Sequence, residues 1–258
     1  MPPNWPFIRD VGPARYALRT VARQVGKRLR GGNRLRLETG LEIWLPAHNQ
    51  SASEIYVTGG HADWGSEDIL VRHLDPEGAF IDVGANIGWY TMLCAPRVRR
   101  VYALEPDSRC WPALATNAET AGNVTVLRQP AWRRCEPVAF CADGDPATSH
   151  IGSGEMVDGI TIDSLAIPER VCAMKIDVEG ADLAAVEGAI DTIRRDQPLI
   201  LTEFNASEIN RPERLKEFAD EVCYRLFAIP AFGAEMVPFD GRGKMIFLVP
   251  PRLHSQFP

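Results

Sequence analysis

The stretch Phe80-Ile81-Asp82-Val83-Gly84-Ala85-Asn86-Ile87-Gly88-Trp89-Tyr90-Thr91 limits the chain's folds more than any other. It reads as a buried strand, a glycine-bearing turn and the first turn of a helix, the usual start of a nucleotide-type binding crevice. Gly84 and Gly88 let the backbone turn tightly and approach a ligand, and the N–H groups opening the helix after Asn86 can bind an anion such as a carboxylate or phosphate. Two features argue against a plain dinucleotide site. Asn86 stands where a middle glycine would let a pyrophosphate lie on the backbone, and Asp82 puts a carboxylate in the turn, where it suits a cationic ligand.

About twenty residues on, Val101-Tyr102-Ala103-Leu104-Glu105-Pro106 is a second apolar strand ending in an acid, the position that holds a ribose diol in this class of sheet. Helix-opening N–H groups for a carboxylate, Asp82 for a cation and Glu105 for a diol fit S-adenosylmethionine better than a nicotinamide cofactor. At this point the chain resembles the FkbM-type family of S-adenosylmethionine-dependent methyltransferases. The resemblance is carried by Phe80 to Thr91, Leu104-Glu105-Pro106, Asn117, Thr161-Ile162-Asp163-Ser164-Leu165 and Met174-Lys175-Ile176-Asp177-Val178-Glu179-Gly180-Ala181, and it extends from about Glu67 to Val249. It implies an α/β fold with the Rossmann-like seven-stranded sheet of class I methyltransferases, and O-methylation of a hydroxyl on a sugar or other small natural product. A Rossmann-like sheet with a different ligand is the competing reading.

The 258 residues suffice for one large α/β domain, expected over 66–258, with a helix and hairpin extension over 1–65. Residues 1–36 hold nine Lys or Arg against the single acid Asp10, so the net charge of −6 leaves about −14 on the remainder. A generally basic surface for nucleic acid is therefore not expected. The six cysteines show no Cys-x-x-Cys pairing and read as reduced thiols. No apolar run reaches the roughly 20 residues of a membrane span, and no signal peptide is evident, so the expected location is cytoplasmic.

Along the extension, Leu18, Val21, Ala22, Val25 and Leu29 recur at helical spacing beside a stripe of Arg15, Arg19, Arg23 and Lys27. The expectation is a basic amphipathic helix docked to the acidic body with its basic stripe as a solvated face, in preference to a membrane or nucleic-acid contact. Leu35 to Glu38 and Leu41 to Leu45 alternate with period two about Thr39-Gly40, as in a hairpin. A short helix is expected from Ser66 to Leu74. Asp107 is a plausible cap for the helix carrying Trp111 and Leu114, and Val124 to Leu127 is the next strand. Strands alternating with helices imply a parallel sheet.

The loop Gln129-Pro130-Ala131-Trp132 follows the third strand and falls where an adenine would lie, with Trp132 read equally as a cover for the ring or as a core aromatic. The Gly-, Asp- and Ser-rich section from Cys135 to Gly159 is expected to form extra strands and loops over the crevice, and contains His150. Ala173 to Asp177 and Leu199 to Glu203 read as the next two core strands, with one helix after Gly180 between them, and Tyr224 to Ile229 and Lys244 to Val249 as a closing antiparallel pair.

Methyl transfer from a sulfonium is an in-line displacement, so the protein must position the acceptor and remove its proton. Asp177, Glu179 and Glu203 fall at the carboxyl ends of parallel strands, where they could serve as base, acceptor ligands or oxygen ligands for a divalent cation. Capping of the following helix is the plain alternative for Asp177 or Glu179. His150 is a reserve candidate for the base. The candidate site is thus Asp177, Glu179, Glu203 and His150 for catalysis, and Asp82, Gly84, Asn86, Gly88, Glu105, Ala131 and Trp132 for S-adenosylmethionine. A non-catalytic cofactor-binding scaffold and a nicotinamide-linked oxidoreductase are the alternative functions.

Overall fold

The computed structural model describes residues 5–142, 144–152, 154–203, 211–231, 234–241, 243 and 245–258. Two helices open the chain, α1 (Trp5–Val11) and α2 (Pro13–Arg30), followed by the hairpin β1 (Gly32–Arg36) and β2 (Glu42–Pro46). Then come α3 (Gln50–Thr58), α4 (Ser66–Arg72), β3 (Ala79–Val83), α5 (Trp89–Cys94), β4 (Arg100–Leu104), α6 (Trp111–Ala121) and β5 (Val124–Leu127). A small antiparallel sheet follows, made of β6 (Pro137–Cys141), β7 (His150–Ile151) and β8 (Glu155–Asp158). The chain ends with β9 (Val171–Ile176), α7 (Asp182–Glu187), α8 (Ile190–Asp196), β10 (Leu199–Glu203), α9 (Pro212–Glu221), β11 (Arg225–Ile229), β12 (Val237–Pro238) and β13 (Met245–Val249).

The main sheet has the order β12-β11-β13-β10-β9-β3-β4-β5. Strands β3, β4, β5, β9 and β10 pair in parallel, while β13 inserts antiparallel between β10 and β11. Seven of these strands are the expected ones, and the two-residue β12 adds an eighth at the edge. Lys244, expected in the last strand, lies outside the described residues. The chain winds one way from β3 to β5 and the other way from β9 to β10, so the switch point lies between β3 and β9, where a sheet of this kind opens a crevice at its carboxyl edge.

Both faces of the sheet are covered, which explains why β3, β9 and β13 are buried along their whole length and read as unbroken apolar runs. Phe80 and Phe247 point into one layer with Ile43, Leu45 and Ile55 of the extension, and Ile81, Met174, Ile200 and Leu248 point into the other with Leu183, Val186 and Ile193. The extension therefore shares a core with the main sheet. Asn117, fully buried on α6, fastens the two: its Oδ1 accepts the Trp44 N–H at 2.7 Å, and its Nδ2 donates to the carbonyls of Trp44 and Ile87.

Three local expectations are corrected. The helix after Gly180 is two short helices, because Gly188 sits where a Cβ would lie 2.1 Å from the Trp132 carbonyl and the chain must turn between them. The helix opening at Trp111 starts from Cys110, and Asp107 instead accepts the Arg109 N–H and pairs with its guanidinium. Third, α2 docks through Arg19, Arg23 and Gly26 on its basic side, leaving Leu18, Val21, Val25 and Leu29 exposed. Arg23 is 1% exposed and donates to the carbonyls of Leu45 and Pro46 at 2.7 and 2.6 Å, to Asn33 Oδ1 and to Ser53 Oγ. Gly26 lies so close to the Asn33 side chain that no Cβ would fit between them. The partners of Arg23 are carbonyls at the end of β2 and neutral side chains of the hairpin and α3, a set that a planar guanidinium with five donors can satisfy and an aliphatic side chain cannot.

Candidate active site

A cleft of about 490 Å³ opens at the carboxyl ends of β3, β4, β9 and β10. Its floor is the turn after β3, where Gly84 and Gly88 have φ of +76° and +88° and Asn86 follows them into the left-handed region at +50°. A Cβ on Gly84 would lie 1.9 Å from the Asp177 carbonyl, and one on Gly88 would lie 2.9 Å from Leu114 Cδ1. Both glycines are thus required by the protein's own packing, Gly84 against the end of β9 and Gly88 against α6. Asn86 Oδ1 accepts from Asn49 Nδ2 at 2.6 Å, which ties the turn to the start of α3.

Glu105 stands at the tip of β4, buried, lining the cleft. Its Oε2 accepts the Asn86 N–H at 2.6 Å and its Oε1 the Asp107 N–H at 2.8 Å. Burial pushes the carboxyl up to about 7 against the pull of those two N–H donors. Each oxygen retains acceptor capacity toward a further donor such as a hydroxyl. The Asn86 N–H is thereby committed to Glu105; of the N–H groups after Asn86 that the sequence offered to an anion, that of Gly88 donates to the Ala85 carbonyl and that of Thr91 to Asp82. One oxygen of Asp82 is likewise engaged: its Oδ2 accepts both the N–H and the hydroxyl of Thr91, at 2.8 and 2.6 Å, latching β3 to the first turn of α5, while the residue still lines the cleft. Burial raises Asp82 to about 6 despite those bonds and Lys175 nearby.

Ala131 lines the cleft beyond β5, held by a parallel bridge to Ile160. Trp132 turns away from it, and its indole donates to Glu136 and lies under the Arg133 guanidinium. The aromatic over this end of the cleft is Phe140 of β6, and His150 and Ile151 of β7 complete the rim. His150 is exposed there, its Nδ1 3.1 Å from the Thr148 carbonyl. The expected cover of strands over the crevice is thus β6 and β7. Arg109 fastens it, reaching the Gly144 carbonyl and Ser149, whose hydroxyl donates to Asp107.

Asp177, Glu179 and Glu203 all line the opposite end. Glu179 is a non-glycine residue with φ of +45°, followed by Gly180 at +89°, a strained corner at the cleft edge. Between the acids lies Lys175, which sequence reading left within a strand motif. Its Nζ is 3.0 Å from Asp177 Oδ2 and 5.2 Å above the Tyr90 ring, with the side chain 2% exposed. Burial would lower its pKa, but Asp177, Asp63 and Glu203 together hold it above the ordinary lysine value. The acidic end thus contains an ammonium group supplied by the chain, and no group of three or more His, Cys, Asp or Glu side chains suited to a metal occurs among the described residues.

Sequence reading also missed the wall built by the extension and the loop before α4. Gln50, Glu54 and Ile55 of α3 line the cleft, as do Asp63, Trp64, Trp89 and Tyr90. Glu67, at the start of α4, folds back so that its Oε1 accepts the N–H groups of Ala62 and Asp63, fixing that loop, and burial and Asp63 raise it to about 7. Nothing in the hydropathy pattern marks these residues, because they meet the cleft only through the packing of α3 and α4 on the sheet.

The methyltransferase FkbM domain family model matches residues 82–228, more than half of the chain, from Asp82 through Glu105 and Asp177 to Glu203. The chain belongs to the FkbM methyltransferase family. It is an S-adenosylmethionine-dependent methyltransferase by that membership, and the cleft offers what such a cofactor requires: a buried carboxylate at the tip of β4, a small residue at Ala131 and an apolar cover in Phe140. Asp163, one of the residues that carried the resemblance, has a structural role here, since its carboxylate accepts the Asp191 and Thr192 N–H groups at the start of α8.

Among solved structures, the chain is similar to methyltransferase FkbM from Methylobacillus flagellatus KT, at 17% identity over 93% of this chain and 60% of that one, with a TM-score of 0.47. It is also similar to an rRNA methylase from Streptococcus thermophilus (13%, 70% and 91%, 0.44). A third is the Pyrococcus abyssi tRNA (uracil-54, C5)-methyltransferase in complex with S-adenosyl-L-homocysteine (12%, 84% and 43%, 0.46). The chain thus spans 60% of the length of the Methylobacillus protein, and likenesses at this level carry no argument about the acceptor. No curated protein matches the chain. Among the described residues, no helix is long and apolar enough to cross a membrane.

Proposed function

We propose that this FkbM-family protein transfers a methyl group to a hydroxyl of a sugar or other small natural product, using Asp177 as the proton acceptor. The observation that carries this reading is the arrangement at the two ends of one cleft. A buried carboxylate, Glu105, stands at one end, and at the other Asp177 is held by the buried ammonium of Lys175 among further acids. The bound cofactor supplies an electrophilic methyl on a sulfonium. On this reading Glu105 accepts the ribose hydroxyls, and Ala131 and Phe140 bound the adenine.

At the acceptor end, the Asp177 carboxylate takes the hydroxyl proton as the new O–CH₃ bond forms and the S–CH₃ bond breaks. Lys175 positions Asp177 through the 3.0 Å contact with its Oδ2. Glu203 and Glu179 accept further hydroxyls of a polyol, and Trp64 and Trp89 offer flat apolar faces for its ring. His150 sits on the rim at the cofactor end of the cleft, with the β6–β7 cover, which favours the acids as the base.

The test is turnover of Asp177→Asn, Glu179→Gln and Glu203→Gln on a panel of hydroxyl and amine acceptors, with cofactor affinity measured in parallel. The expected result is unchanged S-adenosylhomocysteine binding and a loss of roughly 10²–10⁴-fold in rate for Asp177→Asn, with turnover insensitive to a chelator. Parental turnover in all three variants would remove the acids from the mechanism.

A further inference from the structure

The apolar stripe of α2 faces outward. Leu18, Val21, Val25 and Leu29 are 70, 62, 48 and 77% exposed and follow one another at three- and four-residue spacing down a single face. They are four of the six large hydrophobic side chains exposed among the described residues. The stripe is edged by Arg15 and Arg28, both exposed, and the eighteen residues of α2 hold six cations and no acid.

The helix cannot roll to hide this face. Arg23 and Gly26 lock the opposite side, Arg23 through four hydrogen bonds to the hairpin and α3, and Gly26 through its approach to Asn33. Arg19 is packed against Gly59 at the end of α3. An ordinary surface helix docks its aliphatic side and solvates its charged side; α2 buries an arginine and leaves aliphatic side chains in water.

The geometry points to α2 as an interfacial helix that lays its apolar stripe on an anionic lipid surface, with Arg15 and Arg28 meeting headgroups on either side. Charge decides between occupants. A second copy seated by two-fold symmetry would bring the same all-cationic helix against itself, and the stripe has no acid to relieve that repulsion. A nucleic acid would pair with the arginines but leaves the aliphatic residues uncovered. An anionic bilayer interface satisfies both halves of the surface at once.

The charge distribution also orients the approach. Residues 1–36 carry nine cations and one acid while the rest of the chain is at about −14, so an anionic surface attracts this end and repels the other. The residues that line the cleft from α3 belong to the helix on which α2 packs, so the active site is one helix away from the bilayer surface in this pose.

Co-sedimentation of the full chain with vesicles of phosphatidylglycerol and phosphatidylcholine, beside vesicles of phosphatidylcholine alone, tests this directly. Binding to the anionic vesicles is expected, weakened by salt, and at least about tenfold weaker on the neutral ones. A triple variant, Val21→Gln, Val25→Gln and Leu29→Gln, is expected to lose on the order of 100-fold in partitioning. Arg15→Glu with Arg28→Glu is expected to lose the preference for anionic lipid, a second route to the same question should the triple variant not fold. Thermal midpoints and S-adenosylhomocysteine affinity are expected to stay at parental values in both. Absence of binding to anionic vesicles, or undiminished binding by the triple variant, overturns the inference. So does a dimer by sedimentation velocity without lipid that the triple variant converts to monomer, because the stripe would then be covered by a second copy.

Discussion

Replacing Gly84 by alanine separates the two demands placed on the turn below the cofactor end of the cleft. The residue has φ of +76°, which any L side chain enters at about 1–2 kcal/mol, and its Cβ would lie 1.9 Å from the Asp177 carbonyl. Real contacts of that kind begin near 3 Å, so the end of β9 or the turn itself must move by about 1 Å in a close-packed interior. The displaced carbonyl belongs to Asp177, whose N–H bonds to Val83 across the switch point. Gly122→Ala supplies the control, because that residue also has a positive φ, +82°, but meets no atom within 4 Å. The control should lose only about 1 kcal/mol, a fall of about 2–4 °C in Tm for a chain of this length, whereas Gly84→Ala should lose roughly 3–5 kcal/mol. The assay is urea and thermal unfolding of both variants, followed by calorimetry with S-adenosylhomocysteine on whatever fraction of Gly84→Ala remains folded. Equal losses in the two variants would refute the steric argument and leave Gly84 with a backbone preference alone.

Two further outcomes follow from the same geometry. Burial holds the free Glu105 carboxyl near 7, and hydroxyl donors favour its ionised form, so the bound value is lower; S-adenosylhomocysteine should bind more tightly as pH rises from about 5.5 to about 8 and then level off. Calorimetry in buffers of differing ionisation enthalpy should register a released proton near pH 6.5, and Glu105→Gln should bind at least tenfold more weakly at pH 8 with that pH dependence gone; a wild-type affinity flat across the range would take the diol from Glu105. Asn117→Ala strips partners from the N–H and carbonyl of Trp44 and from the Ile87 carbonyl, and should destabilise the protein by about 2–5 kcal/mol in urea unfolding while loosening the extension first, read as faster amide exchange over 32–46 than over the main sheet.

The alternation of apolar strands with helices, the glycine-bearing turn at 84–88 and the acid closing Leu104-Glu105 pointed to a parallel sheet and its crevice from sequence alone, because each rests on a local rule, whereas the strand order and the switch point between β3 and β9 were decided by tertiary pairing. The amphipathic pattern of α2 was likewise legible in the sequence. Which of its two stripes meets the body was decided only in three dimensions, since hydropathy ranks Leu18 and Val25 above Arg23 for burial and knows nothing of the carbonyls of Leu45 and Pro46 that await a guanidinium. The site divides in the same way. The positions of Glu105, Asp177 and Glu203 at strand tips are one-dimensional information, but the partner of Asp177 is not: strand alternation alone does not show that Lys175 is 2% exposed, beside Tyr90 and within the field of Asp63 and Glu203, residues distant in the sequence. Asp82 Oδ2, offered to a ligand in the linear reading, accepts from Thr91 once the turn closes, because a folded chain must satisfy its own buried polar groups first.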